Sequence, residues 1–135
     1  MSKFQTLVSE LESAIETTYT SGITMDEAEK LAAKMLYGQM QVSLKIKECD
    51  LDSRMRKTGV KAIRGAVYTS SKNDSNQKLT DAGVAAIIDS HEVVQKEQEA
   101  FDTAEVEKDE LQRLYDVFGN GHIYYRGIAK GAFGG

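Results

Sequence analysis

The side chains best suited to chemistry in this sequence form a row of cations near its middle. The cations are Arg54, Lys57, Lys61 and Arg64, and the same spacing continues to Tyr68, with Lys72 beyond it. We call these residues the cationic row. Steps of three and four residues place such side chains on one face of a helix. Because like charges at these spacings oppose helix formation by a few tenths of a kcal/mol per pair, the row is unfavourable unless an anion or an acidic surface neutralises it. It therefore indicates either binding to a nucleic-acid backbone, with Tyr68 stacking on a base, or a solvated face that pairs with acidic parts of the chain.

Residues that carry catalysis are scarce. The two histidines, His91 and His122, are isolated in the sequence, which favours core or surface roles over metal binding. Cys49 stands between Glu48 and Asp50, two carboxylates that would raise its pKa and make it a poor nucleophile. No phosphate-cradling loop and no dinucleotide fingerprint occurs. We predict no enzyme, no cofactor and no metal site.

Length and composition set the frame for the cationic row. The 135 residues are 41% hydrophobic and 28% charged and contain no proline, which suits one domain, residues 1–135, with long uninterrupted helices. A single cysteine favours a reducing compartment, and no apolar run reaches the roughly 20 residues needed to cross a bilayer. We expect an intracellular, cytoplasmic protein without a membrane partner.

Charge is strongly segregated along the chain. The net charge is -4, yet residues 45–78 carry nine Lys or Arg against four acids, whereas residues 79–121 carry eleven acids against three bases. Such segregation lets one surface attract an anion while another pairs with a neighbouring subunit.

Hydrophobic periodicity predicts an all-α fold. A short N-terminal helical arm, residues 1–20, has the capping-box pair Ser2 and Gln5 and ends before Gly22. Residues 24–118 are predicted to form a long antiparallel helical hairpin. Its first helix runs to Tyr68, a polar loop spans residues 69–78, and the acidic return helix begins at residue 80 or 81.

Each long helix carries an apolar seam. The predicted seam of the first consists of Leu36, Met40, Leu44, Leu51, Met55 and Ala62, and that of the second of Ile87, Val94, Phe101, Ala104, Leu111 and Phe118. Since one small chain has little core for so long a helix, the first seam must meet another helix of the same or a neighbouring chain.

Residues 119–135 form a glycine-spaced tail that is predicted to begin where Gly119-Asn120-Gly121 ends the return helix. Its apolar side chains are Ile123, Tyr124, Tyr125, Ile128 and Phe133. A segment this short cannot bury them alone, so we predict that the tail mediates homo-oligomerisation; single-strand stacking and simple closure of the fold are the alternatives.

With this layout, residues 25–133 resemble the UvsY family of phage recombination mediators. The matching segments are Met35-Leu36-Tyr37, Lys61-Ala62-Ile63-Arg64 and Val67-Tyr68, followed by a polar loop, an acidic helix and an Ile/Arg/Lys/Phe terminus. Where that family has two aromatic residues and a glycine, this chain has Val67-Tyr68-Thr69-Ser70. The resemblance implies a ring-like homo-oligomer in which Lys61 and Arg64 contribute to single-stranded DNA binding. It also implies that the protein helps a RecA-like recombinase displace a single-strand-binding protein, in the host cytoplasm if the gene is carried by a phage.

Two functional hypotheses follow. The first is a recombination mediator that holds single-stranded DNA on the cationic row. The second is a helical phage adaptor or inhibitor that binds a host protein through the acidic helix, residues 89–110, and it accounts for acidic charge that DNA binding leaves unexplained.

Overall fold

The computed structural model describes residues 1–74 and 80–131. These residues form four helices and no strand: α1 (Lys3–Ser21), α2 (Met25–Asp74), α3 (Asp81–Ser90) and α4 (Glu92–Ala129). The predicted all-α class with a short first helix and a long helical hairpin is confirmed. Within the described ranges, no helix combines the length and the apolar character needed to span a membrane.

The start and end of α1 follow the predicted local signals. The Ser2 hydroxyl accepts the Gln5 N–H at 3.1 Å, and the Gln5 side chain accepts the Ser2 N–H at 3.0 Å, which completes the capping box. At the other end Gly22 has φ 75°, a conformation that glycine adopts at little cost, and its N–H donates to the Thr18 carbonyl at 2.9 Å.

Helix α2 is longer than predicted. Thr24 caps its start by accepting the Glu27 N–H at 3.2 Å, as the sequence indicates. The helix continues past Tyr68 to Asp74, so residues 69–74 are helical and not part of a loop. Thr69 is accommodated because its hydroxyl donates to the Gly65 carbonyl one turn earlier, at 3.1 Å. The rest of the predicted loop, residues 75–79, lies outside the described residues.

The predicted return helix is divided at His91. The backbone of His91 is extended, with φ -69° and ψ 127°, which ends α3. Its ring Nδ1 accepts the Val93 N–H at 3.3 Å, in the manner of a residue that caps the following helix. A continuous helix over residues 81–118 is therefore a wrong prediction.

Gly119 and Gly121 do not end α4, which continues to Ala129. A Cβ added at Gly119 would lie 2.4 Å from the Gln39 side chain, and one at Gly121 would lie 3.2 Å from Met35 Sδ. At both positions α4 lies close to side chains of α2, and neither glycine forms a turn. The helix ends instead at Gly131, which has φ 72° and donates its N–H to the Ile128 carbonyl at 2.9 Å.

The chain divides into two compact units. The first combines Met1–Lys47 with Asp109–Gly135, and the second is Glu48–Lys108. The core of the first unit consists of Leu11 from α1, Ala28, Ala32, Met35 and Val42 from α2, and Leu114, Phe118 and Tyr125 from α4. The core of the second unit consists of Val67, Val84, Ile88 and Val94, with Ile63 packed against them.

The seam predicted for the return helix is confirmed at Val94, Ala104 and Phe118, which are buried, and the spacing extends by seven residues to buried Tyr125. It is wrong at Ile87, which lies in α3 and is 37% exposed. The seam predicted for α2 is not buried by the described residues of the same chain. Its large members, Leu36, Met40, Leu44, Leu51 and Met55, are between 42% and 66% exposed.

Side chains on another side of α2 are buried instead. In the first unit this side carries Ala28, Ala32, Met35 and Val42, and Gly38 beside them contacts Leu11 of α1. Ala28, Ala32 and Gly38 allow close approach of the neighbouring helices, whereas Met35 and Val42 fill the core between them. No helix of the described chain covers the predicted seam, and a neighbouring chain remains its predicted partner.

Candidate nucleic-acid interface

The predicted cationic row lies on α2 within the second unit. Lys57 and Lys61 are one turn apart on one face, and both are exposed. Neither makes an ion pair within 4.0 Å inside residues 1–74 and 80–131. Two neighbouring cations without an internal counter-charge are suited to neutralising successive phosphates of a nucleic-acid strand.

Arg54 precedes these lysines and is largely exposed. Its guanidinium lies 3.0 Å from Asp50 Oδ2 on the previous turn, and its side chain is 78% exposed. Exposed ion pairs of this kind contribute about 0.2–1 kcal/mol, so a phosphate could compete with the carboxylate at small cost. Arg54 thus remains available to an anion.

Arg64 forms an ion pair between two helices of the second unit. Its Nη2 donates to Asp89 Oδ1 at 2.9 Å and so links α2 to α3. A cleft of about 570 Å³ beside this pair also contains Glu99 together with Val94, Gln95 and Gln98. The carboxylates in this cleft compete with a phosphate for Arg64, so its predicted contact with DNA would require the guanidinium to leave Asp89.

Tyr68 and Lys72 interact with each other at the end of the row. Lys72 Nζ lies 5.8 Å from the centre of the Tyr68 ring and 3.3 Å from Asp81 Oδ1. Tyr68 is 43% exposed. A base that stacked on the ring face used by Lys72 would have to displace the ammonium group. The arrangement thus favours Lys57, Lys61 and Arg54 as the anion-binding part of the row.

A polar network joins α2 to α4 in the second unit and shares Asp50 with the Arg54 ion pair. Buried Ser53 donates a hydrogen bond to Glu105, and Lys108 Nζ lies 3.4 Å from Asp50 Oδ1 and 3.7 Å from Glu105 Oε2. The spacing of these residues in the sequence gives no sign of this network. It occupies Glu105 within the chain and fixes the register of α2 against α4 in the second unit.

Cys49 is confirmed as a weakly acidic thiol, although the causes differ from those expected. Burial raises its pKa most, followed by the negative charges of Glu107 and Asp52. Its Sγ also donates to the Ala104 carbonyl at 3.3 Å. The raised pKa lowers the fraction of reactive thiolate relative to an exposed cysteine.

Arg56 stands near the row but is tied to its own helix. Its Nε donates to Asp52 Oδ2 at 3.0 Å, and this hydrogen bond raises the pKa of the guanidinium. His122, in the first unit, has Nδ1 2.9 Å from the Ala32 carbonyl oxygen and joins α4 to α2. Both groups have structural partners.

Residues 119–129 of the predicted tail form the last part of α4. Tyr125 is buried, with its hydroxyl 2.7 Å from Thr18 Oγ1, and Ile128 packs against the core of the first unit. The segment could bury these two because it continues a helix whose seam already faces the core. Ile123 and Tyr124 are exposed, so a contact with another subunit through them remains a prediction. Phe133 lies outside the described residues.

An open groove of about 560 Å³ lies between α1 and α4 in the first unit. It is lined by Ile15, Thr18, Tyr19, Val117, Asn120, Gly121, Tyr124 and Tyr125. Since no charged side chain lines it, the groove is unsuited to phosphate binding. Family models, curated proteins and solved structures were compared with this chain, and none of them matches it.

Proposed function

We propose that this protein is a non-enzymatic mediator of homologous recombination that binds single-stranded DNA along α2. The observation that carries the proposal is the pair Lys57 and Lys61, which are adjacent on one helix face, exposed, and without an ion pair in the described part of the chain. Arg54 extends the pair by one turn. The binding is without strong sequence preference, because these side chains neutralise phosphates and do not read base edges.

The mediator role adds protein partners to this DNA-binding surface. The segments shared with the UvsY family support a RecA-like recombinase and a single-strand-binding protein as those partners. Two or three phosphate contacts in each subunit are individually weak. A ring-like homo-oligomer would repeat them along one strand and so raise the effective concentration of each further contact.

A salt titration tests the DNA-binding part of the proposal. We expect the affinity for a labelled oligothymidine, measured by fluorescence anisotropy, to fall as salt rises, with a slope of about 0.7 for each phosphate contact on a single strand. The variant Lys57→Ala with Lys61→Ala should bind more weakly and lose about 1.4 of that slope.

The matched control is Lys3→Ala with Lys96→Ala, which removes the same charge from α1 and α4. It should bind like the wild type. A slope near zero for the wild type, or an equal loss in both double variants, contradicts the proposed function.

The helical adaptor is the second candidate, and exposed acids on α4 favour it. Glu99 and Asp102 are exposed, whereas Glu105 contacts Ser53 and Glu110 forms an ion pair with Arg113 at 2.6 Å. An adaptor would lose its protein partner on reversal of the two exposed charges while any DNA affinity stayed intact. A pull-down with the Lys57→Ala and Lys61→Ala variant separates the two candidates, because an adaptor keeps its protein partner whereas the mediator loses single-stranded DNA.

A further inference from the structure

The outer face of α2 in the first unit is apolar and uncovered by the described chain. It carries Leu36, Tyr37, Met40 and Leu44, at spacings that place them on adjoining turns, and each is 42–59% exposed. Large side chains grouped in this way are uncommon on the surface of a monomer and mark an interaction surface. We call these four residues the α2 outer face.

Lysines surround the α2 outer face. Residues 30–47 contain four lysines and no acid. Lys30, Lys34 and Lys47 are exposed, and none of them makes an ion pair with a described residue. A well-matched partner is therefore acidic and also offers an apolar group.

The same chain contains a surface of that chemistry, on α4 within the second unit. Glu99, Asp102 and Val106 follow one another at steps of three and four residues and share a face. Val106 is 67% exposed, and residues 97–110 contain seven acids against one lysine. We call these three residues the α4 acidic face.

Contact of the α2 outer face with the same face of a second copy is disfavoured. An antiparallel pair of this kind, centred on Met40, would bring Lys47 of each copy close to Lys34 of the other. Because residues 30–47 contain no acid, nothing within that segment would offset the repulsion.

We propose that the α2 outer face of one copy binds the α4 acidic face of a second copy. The inference rests on the homo-oligomer in the proposed function and names the surfaces that form it. The contact is heterologous, so every copy uses one face of each kind and keeps the other for a further neighbour. Lysines pair with Glu99 and Asp102 at the rim, while Val106 packs on the apolar side chains at the centre.

Charge reversal and mixing test the contact. The wild type should sediment at a multiple of the 14.9 kDa chain, and its mass should fall as salt rises. Lys34→Glu with Lys47→Glu, and separately Glu99→Lys with Asp102→Lys, should each sediment as monomers. An equimolar mixture of these two variants should restore at least a twofold mass, because each copy keeps the face that the other lacks.

The control is Lys3→Glu with Lys130→Glu, which changes the charge by the same amount away from both faces and should keep the wild-type mass. All substituted side chains are exposed, so circular dichroism should show the same helix content in every variant. A wild type that is monomeric at 100 μM (~1.5 g/L), a variant that keeps the wild-type mass, or a mixture that stays monomeric would overturn the proposal. Binding of a monomeric wild type to vesicles containing phosphatidylserine would overturn it too, by assigning the face to a membrane surface.

Measuring DNA affinity beside the oligomeric mass shows which of the two proposals has failed. The Lys57→Ala with Lys61→Ala variant should keep the wild-type mass while it loses single-stranded DNA. The monomeric charge-reversal variants should still bind oligothymidine at low salt, with reduced affinity. An assembled wild type without DNA affinity contradicts the proposed function alone, and a DNA-binding wild type that stays monomeric contradicts the proposed contact alone.

Discussion

Replacing Gly38 of α2 by alanine tests how closely α1 packs on α2 in the first unit. An added Cβ would lie 2.2 Å from Leu11 Cδ1 and 3.4 Å from Phe118 Cδ2, and Leu11 is itself buried. At Gly65 of the same helix, an added Cβ would meet no atom within 4 Å. The two glycines thus share a helix but differ in their surroundings.

The expected free energies follow from that difference. Alanine favours a helix interior over glycine by about 1 kcal/mol, so Gly65→Ala should stabilise the protein by up to about 1 kcal/mol. Gly38→Ala gains the same amount, but overpacking a filled core costs about 1–3 kcal/mol. Gly38→Ala should therefore range from neutral to about 2 kcal/mol destabilising. Urea unfolding followed by circular dichroism measures both, provided that the m values agree.

A double-mutant cycle assigns the cost to Leu11. Leu11→Ala alone should destabilise the protein by about 2–5 kcal/mol. In the Gly38→Ala background it should cost about 1–3 kcal/mol less, because the shortened side chain no longer meets the new methyl group. Effects that add to within about 0.5 kcal/mol, or a Gly38→Ala variant as stable as Gly65→Ala, would refute this account of the α1–α2 contact.

Two further predictions concern buried groups. Tyr125→Phe removes the hydroxyl that lies 2.7 Å from Thr18 Oγ1 and should lower the free energy of unfolding by about 1 kcal/mol, measured by urea unfolding; an unchanged value would contradict the pairing. Because burial raises the pKa of Cys49, its alkylation by iodoacetamide should begin at higher pH in the folded protein than in urea. The protonated thiol is favoured by folding, so this contribution to stability is present below the thiol pKa of the unfolded chain and is lost as pH rises through the folded value; identical alkylation profiles would contradict it.

Local signals in the sequence determined the helical class, the start of α1 and the seam of α4. Capping at Ser2 and the glycine stop at Gly22 depend on groups within a few residues of one another, so they could be predicted from the sequence alone. The spacing of Val94, Ala104 and Phe118 also predicted buried positions, and a further step of seven residues would have identified Tyr125. The exposed pair Lys57 and Lys61 was likewise evident from spacing.

Only the tertiary structure decided which side of α2 is buried and which cations remain available. Two faces of α2 carry apolar side chains, and periodicity alone favoured the face that carries Leu36 and Met40. The other face is buried because two other helices pack against α2 in the first unit, where Gly38 leaves room for Leu11 of α1. In the same way, Arg64 has the spacing of a phosphate ligand but pairs with Asp89, which lies 25 residues away in the sequence. A contact between residues this far apart in the sequence cannot be predicted from regular spacing, because it depends on how the helices pack.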